Sequence, residues 1–108
     1  MRFGISQKSF DLIIEALSGW TEIEKAVIFG SRAIGNYKKG SDIDLAIYGA
    51  QITAHTVNAL SVMLNEELPL PYYFDVVHYE SLKHEPLKVH IDTHGKLLYL
   101  KGTAVPGT

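Results

Sequence analysis

A glycine–serine pair ends one short apolar segment of this chain, and a pair of aspartates opens the next. Lys25–Phe29 reads KAVIF, a run of β-forming residues that stops at Gly30-Ser31. Asp42-Ile43-Asp44 then begins an alternating segment of polar and aliphatic residues, which is typical of a second strand. Residues 31–40, which join the two segments, are too few for a parallel crossover, so the sequence predicts an antiparallel pair of strands.

The Gly30-Ser31 pair is a candidate phosphate site. If a short helix begins at Ser31, its first backbone N–H groups have no partner within the helix and can donate to an anion. Gly30 lacks a Cβ and lets an oxygen approach the backbone, and the Ser31 hydroxyl adds a donor. Taken alone, a Gly-Ser turn is also typical of a simple helix cap. Lys38 and Lys39 in the following loop would either steer a triphosphate to this site or stay solvated.

Asp42 and Asp44 are candidate metal ligands. Strand alternation puts both carboxylates on one face and Ile43, Leu45 and Ile47 on the other. Two carboxylates about 7 Å apart on one face repel each other unless a cation lies between them. Magnesium prefers such oxygen ligands and takes phosphate oxygens as further ones. An isolated Asp-x-Asp is also typical of a solvated polar face, so only its combination with the glycine–serine pair predicts a metal site.

A third carboxylate, Asp75, lies within a segment of aromatic and β-branched residues at 71–79. A charge inside such a strand is disfavoured unless it is paired or binds a metal. If this strand neighbours the one that carries the other two aspartates, the three acids form one cluster. Tyr73 shares the face of Asp75, whereas His78 points to the opposite one. The alternative for Asp75 is a solubilising charge on an edge strand.

Together these motifs resemble the signature of the nucleotidyltransferase superfamily that includes DNA polymerase β and kanamycin nucleotidyltransferase: Gly-Ser, a spacer, Asp-x-Asp, and a third Asp on a later strand. Gly30-Ser31-Arg32-Ala33 and Ser41-Asp42-Ile43-Asp44-Leu45 resemble, more narrowly, the minimal nucleotidyltransferases (MNT proteins), such as the MntA-like antitoxins of HEPN/MNT pairs. Residues 91–99 are similar to the helix-Gly-strand close of those proteins. The resemblance therefore covers nearly the whole chain and implies a nucleotidyltransferase palm.

The resemblance also implies a role for each motif residue. The catalytic and metal-binding residues would be Asp42, Asp44 and Asp75. The nucleotide-binding residues would be Gly30, Ser31, Arg32 and Ser41. The cofactor would be Mg²⁺, with two ions expected, and the substrate would be ATP or another NTP. A HEPN-family helical protein would be the partner.

The predicted activity is Mg-dependent transfer of a nucleoside monophosphate, AMP from ATP, to an acceptor hydroxyl. The resemblance implies that the acceptor lies on the HEPN partner and that the protein acts as an antitoxin. A hypothesis from another class is a non-catalytic adaptor that binds nucleotide and neutralises its partner by contact, although such an adaptor gains nothing from clustered acids that repel. Transfer to a small molecule such as an aminoglycoside is a third hypothesis, disfavoured because 108 residues leave little room for a substrate-binding domain.

The amino-acid composition narrows the cellular compartment in which the protein is expected and the kinds of partner that it can bind. The net charge is −2 with both signs interspersed, so no basic field attracts nucleic acid. Cysteine is absent, which excludes disulfides and thiolate zinc sites. The sequence has no apolar signal core and no membrane-spanning run, which predicts a cytoplasmic protein. We expect a single domain over residues 1–101, a flexible tail at 102–108, and either a homo-oligomer or a hetero-oligomer.

The wider pattern predicts an α/β (α+β) domain: a mixed sheet of three to four strands with helices packed mainly on one face. Ser6 and Gly19 would cap and stop an amphipathic first helix. His90 and His94 stand at the i, i+4 spacing that can chelate zinc. With no third ligand identified, we expect His90 on a surface face and His94 beside a helix C-terminus.

Overall fold

The computed structural model describes residues 2–102, and its strands form one mixed sheet. The strands are Lys25–Phe29 (β1), Ile43–Tyr48 (β2), Phe74–His78 (β3) and Lys96–Leu100 (β4). The helices are Gln7–Ser18 (α1), Ser31–Ile34 (α2), Ala54–Val62 (α3) and Glu85–His94 (α4). In the order β3-β2-β1-β4, β1 is antiparallel to β2 and β4, whereas β2 is parallel to β3. The predicted fold class and the antiparallel first pair are confirmed; from residue 103 on, the predicted tail lies outside the described residues.

The first helix forms as the sequence predicts. The Ser6 hydroxyl accepts a hydrogen bond from the backbone N–H of Ser9 at 3.2 Å, which satisfies one of the free donors at the helix start. Gly19 follows the last turn of α1 as its C-cap. Phe10, Ile13 and Leu17 recur at helical spacing and are buried against the sheet.

The two faces of the sheet carry different layers. On one face, α1 and α3 cover the main core, in which Ile28, Leu45 and Leu60 are fully buried. On the opposite face, Ile91 of α4 packs in a smaller cluster that includes Val27. The helices therefore lie mainly on one face, as predicted. Residues 2–102 include no helix of the length and apolarity that a bilayer span requires.

Strand β3 is shorter than the predicted segment at 71–79, since Tyr79 already begins a 3₁₀ turn. Pro71 has no N–H to donate to a ladder, which is consistent with a start at Phe74. Asn65 covers the strand there: its Oδ1 accepts from the Phe74 N–H at 2.7 Å, and its Nδ2 donates to the Phe74 carbonyl at 3.0 Å. Asn65 lies in a π-helical turn, Met63–Glu67, that continues α3.

Arg32 connects α2 to two distant segments. Its side chain is 3% exposed, and its guanidinium donates to the Ser41 carbonyl at 2.7 and 3.1 Å and to the Phe3 carbonyl at 2.8 Å. The rings of Tyr37 and Tyr72 lie near the same guanidinium, at 5.1 and 5.2 Å. This charge-assisted network fixes the loop that leads into β2.

We expect Arg32→Met to lower the free energy of unfolding by about 3 kcal/mol, because two carbonyls lose charge-assisted donors at a buried site. Arg32→Lys should restore little of this, since one ammonium group does not reproduce the planar fork of donors. Urea denaturation followed by circular dichroism measures both. Lys39→Met, at an exposed position of the same loop, is the control; an equal loss in that variant would contradict the role assigned to Arg32.

Candidate active site

The turn after β1 takes a conformation that requires glycine. Gly30 has φ 75° and ψ −155°, a region of backbone space that L-residues rarely adopt. A Cβ at this position would also collide with Oδ2 of Asp44. The helix α2 begins at the next residue, Ser31, as the sequence predicts. Because Gly30 has no side chain, the backbone of the turn can lie directly against the carboxylate of Asp44 on the next strand.

The acids lie on neighbouring strands beside this turn. Asp44 is in register with Asp75 across the parallel pair β2–β3 and with Phe29, the last residue of β1, on its other side. Asp42 immediately precedes β2 and is exposed. The aliphatic residues that alternate with these acids are fully buried in the main core, so the carboxylates lie on the face that also carries α4.

The electrostatics of the cluster centre on Asp44. Partial burial raises the pKa of Asp44 to about 6, and the neighbouring charges of Asp75 and Asp42 add to the shift. Within residues 2–102, no three acidic or histidine side chains already converge on a metal-binding position. Magnesium is usually held by one or two carboxylates together with phosphates and water. A donor set of carboxylate oxygens beside the Gly30 turn fits that mode of binding.

Two residues predicted to bind the nucleotide, Arg32 and Ser41, have side-chain partners within the chain. The Arg32 guanidinium is buried and bonded to the carbonyls of Phe3 and Ser41. The Ser41 hydroxyl accepts from the backbone N–H of Lys38 at 2.9 Å. Both side chains thus hold the loop before β2, and their contact with a nucleotide stays a prediction. Both residues were assigned from their closeness in sequence to the Gly-Ser and Asp-x-Asp motifs, which does not reveal their hydrogen-bond partners within the chain.

His90, predicted on a surface face, instead contacts the Gly30 turn. Its Nε2 accepts a hydrogen bond from the Gly30 N–H at 2.9 Å. His94 lies one helical turn away, with 5.3 Å between the ring centroids. The described residues offer these two imidazoles no third ligand. The sequence signal that could have found this contact is weak, because sixty positions separate the two residues and only the packing of α4 brings them together.

The remaining candidates lie at the rim of the cluster or away from it. Tyr73 is 61% exposed just before β3, and its carbonyl accepts a hydrogen bond from the Ile43 N–H at 2.8 Å. Nε2 of His78 lies 3.0 Å from the Gly49 carbonyl, and Nδ1 lies 2.7 Å from the Ser81 hydroxyl. His78 Nε2 also lies 3.0 Å from Oε1 of Glu80, so this imidazole contacts its own neighbourhood rather than the three aspartates.

The mixed four-stranded sheet aligns a Gly-Ser turn with two adjacent carboxylates, which is the arrangement expected of a nucleotidyltransferase domain. Residues 11–103 match the family model described as "Polymerase beta, Nucleotidyltransferase". The chain belongs to this family. No curated protein sequence matches it significantly.

Several solved structures share the fold. A mutant of an MntA toxin–antitoxin complex is 26% identical, with a TM-score of 0.68 over 85% of this chain and 72% of that one. The tri-AMPylated HEPN toxin of Shewanella oneidensis in complex with its MNT antitoxin gives 24% identity and a TM-score of 0.65, over 86% and 71% of the two chains. A toxin–antitoxin structure with AMP-PNP gives 21% and 0.68, over 91% and 76%.

Gly30→Ala and Gly35→Ala separate the local roles of two glycines with positive φ in this turn. Gly30→Ala should cost about 2–3 kcal/mol of stability, because φ 75° with ψ −155° is a region of backbone space essentially restricted to glycine, whereas Gly35→Ala should cost about 1 kcal/mol, because Gly35 is left-handed helical (φ 87°, ψ 5°). Only the first puts a Cβ against the Asp44 carboxylate, whereas the space around Gly35 is open. We expect Gly30→Ala alone to abolish binding of AMP-PNP, measured by calorimetry below both unfolding temperatures. Equal binding by the two variants would show that the close approach to Asp44 is unimportant.

The raised pKa of Asp44 predicts a pH-dependent stability in the metal-free protein. A carboxyl group whose pKa is higher in the folded state loses stability when it ionises, so its contribution should fall as the pH rises from 3.8 to about 6. In EDTA at pH 7.5, Asp44→Asn should therefore raise the free energy of unfolding by on the order of 1 kcal/mol after solvent screening. Urea denaturation across this pH range tests it, with exposed Asp11→Asn as the control that should change nothing.

Proposed function

We propose that this protein transfers AMP from ATP to a hydroxyl group of a HEPN-family partner, and that it does so in the cytoplasm as an antitoxin. The observation that carries the proposal is the register of Asp44 with Asp75 beside the Gly30 turn. Membership of the polymerase β nucleotidyltransferase family supports the reaction class. The AMPylated HEPN toxin bound to an MNT antitoxin supports the acceptor and the nucleotide.

The turn and the first two acids would hold the triphosphate. The backbone N–H groups that open α2 and the Ser31 hydroxyl would bind its outer phosphates. Asp42 and Asp44 would hold Mg²⁺ together with phosphate oxygens. The bound ion would supply charge neutralisation at the phosphates and at the leaving group. Partial burial, and then the charges of Asp75 and Asp42, raise the pKa of Asp44 to about 6, and a bound cation would offset both effects.

Asp75 would act on the acceptor. In an in-line displacement, the acceptor oxygen bonds to the α-phosphorus while the bond to the bridging oxygen breaks and pyrophosphate leaves. The acceptor must then approach from the side opposite the outer phosphates. The sheet order runs from the β1 turn through Asp44 to Asp75, with neighbouring strands about 4.8 Å apart. Asp75 therefore lies towards the acceptor side, where its carboxylate would accept the hydroxyl proton or help to bind a second metal ion.

Neutralising any one of the three acids should reduce transfer by at least about a hundredfold, because charge stabilisation supplies most of the catalysis in phosphoryl chemistry. The assay follows label from [α-³²P]ATP onto the purified HEPN partner in the presence of Mg²⁺. The variants are Asp42→Asn, Asp44→Asn and Asp75→Asn, each with unchanged circular dichroism. Asp11→Asn, an exposed acid on α1, serves as the matched control.

The same assay separates catalysis from neutralisation by contact. If the wild-type protein forms a stable complex with the partner but transfers no label, the proposal fails and the protein is a binding-only adaptor. If label passes from ATP to a small molecule but never to the partner, the acceptor assignment fails while the reaction class stands.

A further inference from the structure

From the hydrogen bond between α4 and the turn after β1, we infer that His90 is a positioning residue of the nucleotidyl-transfer site and acts through Gly30. The inference rests on the proposed function. It assigns a role to a side chain that belongs to neither the Gly-Ser motif nor the aspartate motifs.

The helix α4 presents the imidazole to the turn from a fixed position. Ile91, the next residue, is 2% exposed and packs in the cluster that includes Val27 and Phe29. At the end of the helix, a Cβ on Gly95 would collide with Cγ1 of Val27, so α4 approaches β1 closely there. The ring of His90 meets the ring of Phe29 edge-on, with 6.1 Å between centroids. The packing of Ile91 on the sheet and the contact with the Phe29 ring thus hold the imidazole of His90 beside the end of β1.

The bond at 2.9 Å fixes the peptide group that joins β1 to the turn. The N–H of this peptide belongs to Gly30, whose φ of 75° directs the chain past the Asp44 carboxylate. Rotation of the peptide would move the backbone that adjoins Oδ2 of Asp44. His90 therefore keeps both the turn and the neighbouring carboxylate in place without itself touching substrate.

The contact requires one protonation form of the ring. An Nε2 that accepts a hydrogen bond carries no proton, so the neutral ring must hold its hydrogen on Nδ1. Glutamine offers an amide oxygen as an acceptor on a flexible side chain, whereas alanine offers none. His94, on the same helix and exposed, provides a control for the loss of an imidazole.

The test compares His90→Ala, His90→Gln and His94→Ala, with the full chain and its HEPN partner. We expect His90→Ala to weaken the binding of Mg-AMP-PNP about five- to tenfold and to lower kcat/KM for AMP transfer at least as much. His90→Gln should recover most of both losses, and added imidazole should partly rescue His90→Ala. His94→Ala should stay within twofold of the wild type. Thermal unfolding of each variant sets an assay temperature at which all are folded.

The outcomes are separable from those of the proposed function. If the wild-type protein binds no AMP-PNP and transfers no AMP, the result contradicts the proposed function and also this inference, which rests on it. A wild-type protein that is active, with His90→Ala unchanged or with His94→Ala impaired to the same extent, would overturn the inference alone. If His90→Ala does not fold, ¹⁵N NMR of the wild-type imidazoles decides: the Nδ1–H form at His90 supports the contact, and the Nε2–H form overturns it.

Discussion

The close approach of the Gly30 backbone to the Asp44 carboxylate is the contact on which the site depends. It requires a glycine for two separate reasons, since both the positive φ and the proximity of Oδ2 disfavour a side chain. It also links the first two strands at the position where the chain leaves the sheet. The pairing of Phe29 with Asp44 across β1 and β2 is enough to bring the turn and this carboxylate together, and no other segment of the chain is needed.

The layered sheet supports a cluster of like charges. Burial and two neighbouring carboxylates make ionisation of Asp44 unfavourable. The opposite face of the same strand offsets this with aliphatic side chains at Ile43, Leu45 and Ile47, which are fully buried in the main core. Strand alternation thus lets one short segment contribute to folding with one face and hold destabilising groups on the other. Active sites commonly retain such local strain.

Local patterns could be predicted from the sequence, whereas contacts between distant segments could not. The bounds of β1 and the start of α2 follow from a β-forming run that ends at Gly30-Ser31. Alternation correctly assigned the buried aliphatic face of β2. The short connection before Asp42 predicted the antiparallel pair. The bond of Arg32 to the Phe3 carbonyl and the bond of His90 to Gly30 were not predicted, because the partners lie in other segments and neither the burial of an arginine nor the partner of an imidazole has a local signature.

The side-chain amide of Asn65 caps the edge of the sheet next to Asp75. Strand β3 lies at one edge of the sheet, and Asn65 occupies both backbone hydrogen-bonding groups of Phe74 there. A polypeptide that added itself as a fifth strand would have to displace this side chain one residue away from Asp75. Asn65 therefore disfavours main-chain pairing with another polypeptide at the edge of the sheet that adjoins Asp75.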